Sequence, residues 1–482
     1  MNKERDEGYS HVLKYTGIFG GVQGLNIIIS LVRNKLVALL LGPDGMGLAS
    51  LFNTTVNFIS QSTNLGISFS AVKHISSLYE ENDEEKIAHF VKVVRVWSLI
   101  TALAGMAVCV LLGPFLSDYT FSWGDHTLHF ILLSPAVGLL AITGGETAIL
   151  KGMRRLRSLA TIQIYTVIVA FFISVPLYYF FGQTAIVPVI VLLILVSMLL
   201  TIRYSYRLFP LRLSGPRGVL GEGMNMVKLG VAFVVAGIIG SGAEMLVRSY
   251  LNVTGNLDVV GLYNAGFVLT ITYASMVFSS METDYFPRLS SVCKDVSMLN
   301  LTVNRQIEVS LLVASPMLAA LIIALPILMP LLYSSEFIPV IAMAQVAVFS
   351  MYIKSISLPI SYITLSKGDS IAYMILESCY DVLFVIMIIA GYQLWGLYGT
   401  GLALSLSYLI NFVLVGGYAY FHYHYRMSGR VLYYAAIQLG LGIAVYVVSL
   451  IDNQVFYWLL GSILCVVSML ISVIILRRHA EG

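Results

Sequence analysis

Stretches of about twenty predominantly apolar residues, the length that carries an α-helix across the hydrocarbon core of a bilayer, recur along almost the whole of this 482-residue chain. No other feature narrows the choice of fold so far. Such stretches begin near Tyr15, Gly45, Val93, His129, Leu159 and Thr184 in the first half. In the second half they begin near Leu229, Leu262, Ile307, Ile338, Ile371 and Leu397, followed by two more near Val431 and Val455. The spacing leaves no room for a soluble domain. Composition agrees: 58% of residues are hydrophobic and 11% charged, whereas soluble domains carry about 25% charged residues. The expected fold class is an all-α polytopic membrane protein of about fourteen transmembrane helices. Its expected organisation is a six-helix bundle over residues 1–205 and a cytoplasmic linker over 206–228. A second six-helix bundle then covers 229–421, and two extra helices cover 422–482.

Lysine and arginine orient the chain. With the N-terminus inside, one set of connectors holds Lys86, Lys92, Lys151, Arg154, Arg155, Arg157, Arg203, Arg207, Arg212, Arg217, Arg288, Lys294, Arg305, Lys367, Arg426 and Arg430, with Arg477 and Arg478 at the C-terminus on the same side. The opposite set holds Asp44, Asp118, Asp125, Asp258, Glu336 and Asp452 and essentially no basic residue. Both termini are therefore expected in the cytoplasm, with the chain multi-pass in its membrane. The start, MNKERDEGYSHVLKY, lacks the short apolar core and small-residue cleavage site of a signal peptide, so the first span is expected to be retained. The acidic run EENDEEK at 80–86 reads as a solvated loop or helix cap. Cys109, Cys293, Cys379 and Cys465 have no metal-ligand spacing and read as packing residues. There is no P-loop, no HExxH, no GxSxG and no clustered basic footprint for nucleic acid.

A weak internal repeat links the halves. LVRNKL at 31–36 and LVRSYL at 246–251 are each followed by a turn and then Gly-Leu opening the next span, at Gly47 and Gly261. Equivalent positions in the same orientation imply a parallel repeat, with Arg33 and Arg248 expected to face one shared cavity. Charges inside spans are the informative ones, since each costs roughly 2.5–3.5 kcal/mol at the bilayer centre unless solvated or paired. Arg33, Lys35, Arg248 and Lys354 are the cationic candidates for substrate binding. Tyr250, Tyr273 and Tyr352 lie nearby as candidate sugar contacts. Glu244, Asp381, Glu377 and Glu146 are candidates for ion-coupling or structural pairs. Glu244 and Arg248 stand one helical turn apart. Lys354 precedes the Lys367–Gly368–Asp369 turn by about as many residues as Asp381 follows it, which predicts an approach across the hairpin within salt-bridge or one-water distance. Glu146 is expected at an inner vestibule or interface. His422 and His424 are splayed by their i, i+2 spacing and do not read as a metal site.

The segment RNKLVALLLGPDGMGLASLFNTTVNFISQSTNLGIS (33–68), the pattern KG-x-RR-x-RS-x-A (Lys151–Ala160) and VGLYNAG (260–266) resemble the polysaccharide-repeat-unit flippases. These are the Wzx-type O-antigen translocases, a polysaccharide transporter branch of the MATE-like superfamily. The resemblance implies two six-helix bundles working by alternating access, with two appended helices. It implies an undecaprenyl-diphosphate-linked oligosaccharide as substrate and no catalysis. It further implies no cofactor beyond coupling to a proton or sodium gradient or to the membrane potential. A monomer supplied by glycosyltransferases and followed by a glycan polymerase is the expected setting. Embedded cations suit an anionic diphosphate headgroup. A MATE-type multidrug exporter, a lipid II flippase and a glycan-polymerising enzyme are the alternatives. The last would need catalytic groups in a sizeable outer loop, where only His126 and His129 are found.

Overall fold

The computed structural model describes residues 2–81, 83–121, 124–210 and 219–481. Every described regular element is helical, as a bilayer demands of a chain whose backbone amides find no water to bond. The elements are α1 (Asn2–Thr63), α2 (Ile67–Glu80), α3 (Glu84–Thr120), α4 (Thr127–Gly152), α5 (Leu156–Phe181), α6 (Ile186–Leu208) and α7 (Val219–Thr254). They continue with α8 (Leu257–Phe267), α9 (Ala274–Val292), α10 (Val296–Leu332), α11 (Ile341–Ala347), α12 (Phe349–Ser366), α13 (Ser370–Tyr423), α14 (Gly429–Ser449) and α15 (Gln454–Glu481). The chain forms two compact units that meet in sequence between Ser241 and Gly242, within α7.

Ten described segments are long and apolar enough to cross a membrane, against the fourteen or so expected. Several of the ten hold more than one expected crossing. Ser370–Tyr423 has 54 residues, which at about 1.5 Å per residue would run some 80 Å as one straight helix. It does not run straight. Trp395 and Gly396 leave helical geometry, Gly396 with φ 59° and ψ −143°. Beyond them the chain returns so closely that a Cβ at Gly399 would meet the carbonyl oxygen of Gly391. Arg157–Leu208 likewise joins α5 and α6 across a short 3-10 turn at Gly182–Ala185. In α1 the break is at Gly42, with φ 65° and ψ −176°, followed by Pro43. The span expected near Leu262 is α8, a π-helical segment Val268–Tyr273 and α9, within which Leu257–Thr272 is apolar.

Small residues set the packing. In the N-terminal unit α3 crosses α4 where Gly138 meets Met106 and Gly145 meets Ser98, since close helix approach in lipid needs a missing side chain. Connectors are built as caps. Asp83 accepts from the Lys86 amide at 3.0 Å ahead of Glu84 and Glu85, so the described part of the acidic run is a helix cap. Asp295 and Asp369 cap α10 and α13 in the same way.

Candidate functional site

In the C-terminal unit, α7 places Glu244 and Arg248 on one face. Arg248 Nη1 lies 3.3 Å from Glu244 Oε2 and also donates to the Glu244 carbonyl at 3.2 Å. Its Nη2 donates to Asn264 Oδ1 of α8 at 3.4 Å. The guanidinium lies over Phe267 at 5.5 Å and Tyr263 at 5.9 Å. The pair is asymmetric: the Arg248 side chain is 5% exposed and that of Glu244 46%. A buried guanidinium needs its donors satisfied, and the protein supplies acceptors for Arg248 from two helices. In this conformation the charge that reaches open space belongs to Glu244.

The hairpin of α12 and α13 extends this cluster. Asp381 lies within electrostatic range of both Glu377 and Glu244, and Glu377 within range of Lys354. The Lys354 ammonium donates to Ser275 Oγ at 3.0 Å. Together these groups form a chain of charges: Arg248 and Glu244 on α7, Asp381 and Glu377 on α13, and Lys354 on α12 against α9. Among the described residues Lys354 and Asp381 form no direct salt bridge, and the ammonium is held by Ser275 instead. Equal depth on two antiparallel helices does not make two side chains face each other. The azimuth of Lys354 turns it to α9, where Ser275 follows directly on the π-helical segment. Non-α backbone of that kind tends to mark functional sites.

Other expected contacts fall elsewhere. The Tyr250 hydroxyl accepts from Gln393 Nε2 at 2.8 Å and its ring stands edge-on to Tyr392. That places it beside the Trp395–Gly396 reversal rather than with the charges. The side chain of Tyr273 lies outside the described residues. Tyr352 is buried and donates to the Ser315 carbonyl at 3.1 Å, which makes it a core residue. Tyr263, also buried, leaves its hydroxyl without a hydrogen bond beside Arg248.

The N-terminal unit holds its charges differently. Arg33 and Lys35 are partly buried on α1, and Arg33 lies within electrostatic range of Tyr178 on α5. Glu146 lines no vestibule. It is 3% exposed, with Oε1 2.9 Å from Arg95 Nε and Oε2 accepting from Ser205 Oγ at 2.5 Å. Arg95 also donates to the Phe209 carbonyl at 2.9 Å and stacks over Tyr206 at 4.1 Å. Sequence reasoning missed Arg95. Its only signal is a cation two residues inside the apolar run that starts at Val93, and α3, α4 and α6 must be assembled before its partners are visible.

Residues 36–342 match the family described as polysaccharide biosynthesis protein. No curated protein matches the chain. Among solved structures, the lipid II flippase MurJ in an inward closed conformation aligns with a TM-score of 0.69 at 15% identity, covering 96% of this chain and 100% of that one. An inward-facing multidrug resistance MATE family transporter of the MOP superfamily aligns at 0.66 and 15% identity, covering 81% and 94%. The MATE multidrug transporter DinF-BH aligns at 0.62 and 14%, covering 85% and 95%. At these identities the likeness establishes the fold.

Proposed function

This chain belongs to the polysaccharide biosynthesis protein family and has a MATE-like transporter fold, and from that premise we propose that it flips a lipid-linked oligosaccharide across the bacterial inner membrane. The substrate proposed is an undecaprenyl-diphosphate-linked repeat unit of O-antigen, exopolysaccharide or capsule, moved by alternating access. The family and its structural neighbours are transporters and flippases, not enzymes. The observation that carries the substrate reading is the set of cations embedded in apolar spans: Arg33, Lys35 and Lys354, all partly open rather than sealed in the core. Such cations attract an anionic diphosphate headgroup and repel the cationic cargo of a drug exporter.

Within this reading the charge chain of the C-terminal unit has two roles. Lys354 meets the headgroup. Glu244, Asp381 and Glu377 take up the coupling proton or sodium ion, because carboxylates held close together inside a membrane favour binding a cation. Arg248 is a positioning residue: it holds Glu244 and Asn264 and reaches substrate only through them. The chain works as a monomer with both termini in the cytoplasm, between glycosyltransferases that supply the repeat unit and a polymerase that consumes it.

The test is complementation. In cells lacking the native gene, with membrane insertion checked by blot, Lys354→Gln should lose most surface glycan and Lys354→Arg should keep a substantial part. Full surface glycan in Lys354→Gln and in Arg33→Gln would remove the headgroup reading. Rescue of a strain lacking its lipid II flippase would instead assign the chain to that activity.

A further inference from the structure

Between the start of α2 and the last three turns of α4, in the N-terminal unit, lies a cavity of about 270 Å³. At about 30 Å³ per water it has room for about nine waters, just under the roughly 300–1,000 Å³ of pockets that take whole small ligands. It suits a headgroup fragment and not an oligosaccharide. Thr143, Gly144, Thr147 and Lys151 line one side, stacked on a single stripe of α4 by the helical period. Ser68 faces them from α2. Gly144 permits that approach, because a Cβ there would lie 2.7 Å from Ser68 Oγ.

The polar groups of this wall are not equally engaged. The Thr143 hydroxyl donates to the Leu139 carbonyl at 2.7 Å. Ser68 Oγ accepts from Asn64 Nδ2 at 2.8 Å and retains its own proton to donate. Among the described residues, Thr147 makes no side-chain hydrogen bond and Lys151 no ion pair or hydrogen bond. A lysine in the last turn of a helix is explained in part by the helix dipole. The dipole does not account for two available hydroxyls beside the cavity, Thr147 on the same stripe and Ser68 facing it from α2. The remaining wall, including Leu140 and Ala148, is apolar.

We propose that this cavity is a docking subsite for a phosphate headgroup of net negative charge: Lys151 supplies the charge, Ser68 and Thr147 donate to phosphate oxygens, and the apolar wall takes the first carbons of the attached chain. The basic residues clustered from Lys151 to Arg157 are those the charge pattern assigns to the cytoplasmic side. The subsite would therefore be reached from the leaflet where a lipid-linked substrate is built. Its role in loading rests on the flippase reading, whereas the binding itself does not.

The experiment uses the full chain with its four cysteines replaced by serine, a Leu140→Cys reporter in the cavity wall, and nanodiscs of phosphatidylcholine. The rate of maleimide modification is measured with farnesyl diphosphate, with pyrophosphate, and in discs containing phosphatidylglycerol. At least one of these anions should slow modification by about tenfold, the scale of one charge-assisted contact. Lys151→Arg should keep that protection and Lys151→Gln should lose it. Protection by pyrophosphate identifies the free anion as sufficient, protection by phosphatidylglycerol alone an ordinary lipid headgroup, and protection by farnesyl diphosphate alone a prenyl carrier. Unchanged rates with every anion, repeated with a Thr143→Cys reporter, would overturn the proposal, as would protection that survives Lys151→Gln. Either failure leaves the transport reading standing. Loss of that reading in the Lys354 variants would in turn leave protection here intact.

Discussion

Two buried arginines show how differently one residue type is used. Arg95 and Glu146 are both almost fully covered, 10% and 4% exposed at the side chain, and each satisfies the other. Removing one partner leaves an uncompensated buried charge, which costs about 3–5 kcal/mol. Arg95→Ala should therefore sharply reduce thermal stability in detergent and protein level in the membrane. Arg95→Met combined with Glu146→Leu should recover much of the loss, since the double change leaves no lone charge. Arg248 is paired with a half-exposed Glu244, and Glu244→Gln keeps a side-chain oxygen to accept from the guanidinium alongside the residue-244 carbonyl and Asn264. Glu244→Gln should thus unfold little and act on transport. Its effect should appear as a changed dependence of glycan export on pH or sodium, measured in vesicles, with protein level near normal. A Glu244→Gln protein that loses its fold would contradict this assignment.

At the scale of the element, the ends and reversals of helices carry the specificity that apolar spans lack. Asp369 caps α13 through the Ala372 amide at 3.0 Å and also accepts from the Tyr423 hydroxyl at 2.8 Å, tying the two ends of the hairpin together. The Ala372 amide, then the Tyr423 and Tyr418 hydroxyls, hold its carboxyl below the ordinary value of 3.8. A depressed carboxyl stabilises fully above its unfolded value and loses that contribution as pH falls through its folded value. The melting temperature should be flat near neutrality and fall in the acid range below about pH 4. Asp369→Asn keeps a cap but does not titrate, so its acid fall should be shallower. The reversal at Trp395–Gly396 makes a second demand. Gly391→Ala or Gly399→Ala forces a methyl against the facing backbone, an overpacking cost of about 1–3 kcal/mol, and should lower the melting temperature. Ala at Gly417, which has open space, should not.

Across the whole molecule, the last two helices are part of the C-terminal core. Val445 and Tyr457 lie in one buried cluster with Ile322 and Ile323 of α10, and the Tyr457 hydroxyl donates to the Ile323 carbonyl at 2.9 Å. Gln438 of α14 bonds Ser468 and Ser472 of α15. Ending the chain at His424 should therefore strip α10 and sharply reduce the amount of protein in the membrane, read by blot or by a fluorescent fusion. Most of the architecture was legible without coordinates. Helix length, lipid burial and the sidedness of basic residues are properties of consecutive residues, and so were the all-α membrane class, the turn ahead of Gly47 and the family resemblance. The cap in the acidic run at Asp83 and the turn at Lys367–Asp369 were equally local. The partners of Arg95, Lys354 and Arg248 were not. Depth along a helix can be counted from sequence, but azimuth depends on how neighbouring helices pack. That packing turned Lys354 from Asp381 to Ser275, closed Glu146 onto Arg95 and Ser205, and buried Arg248 while leaving Glu244 open.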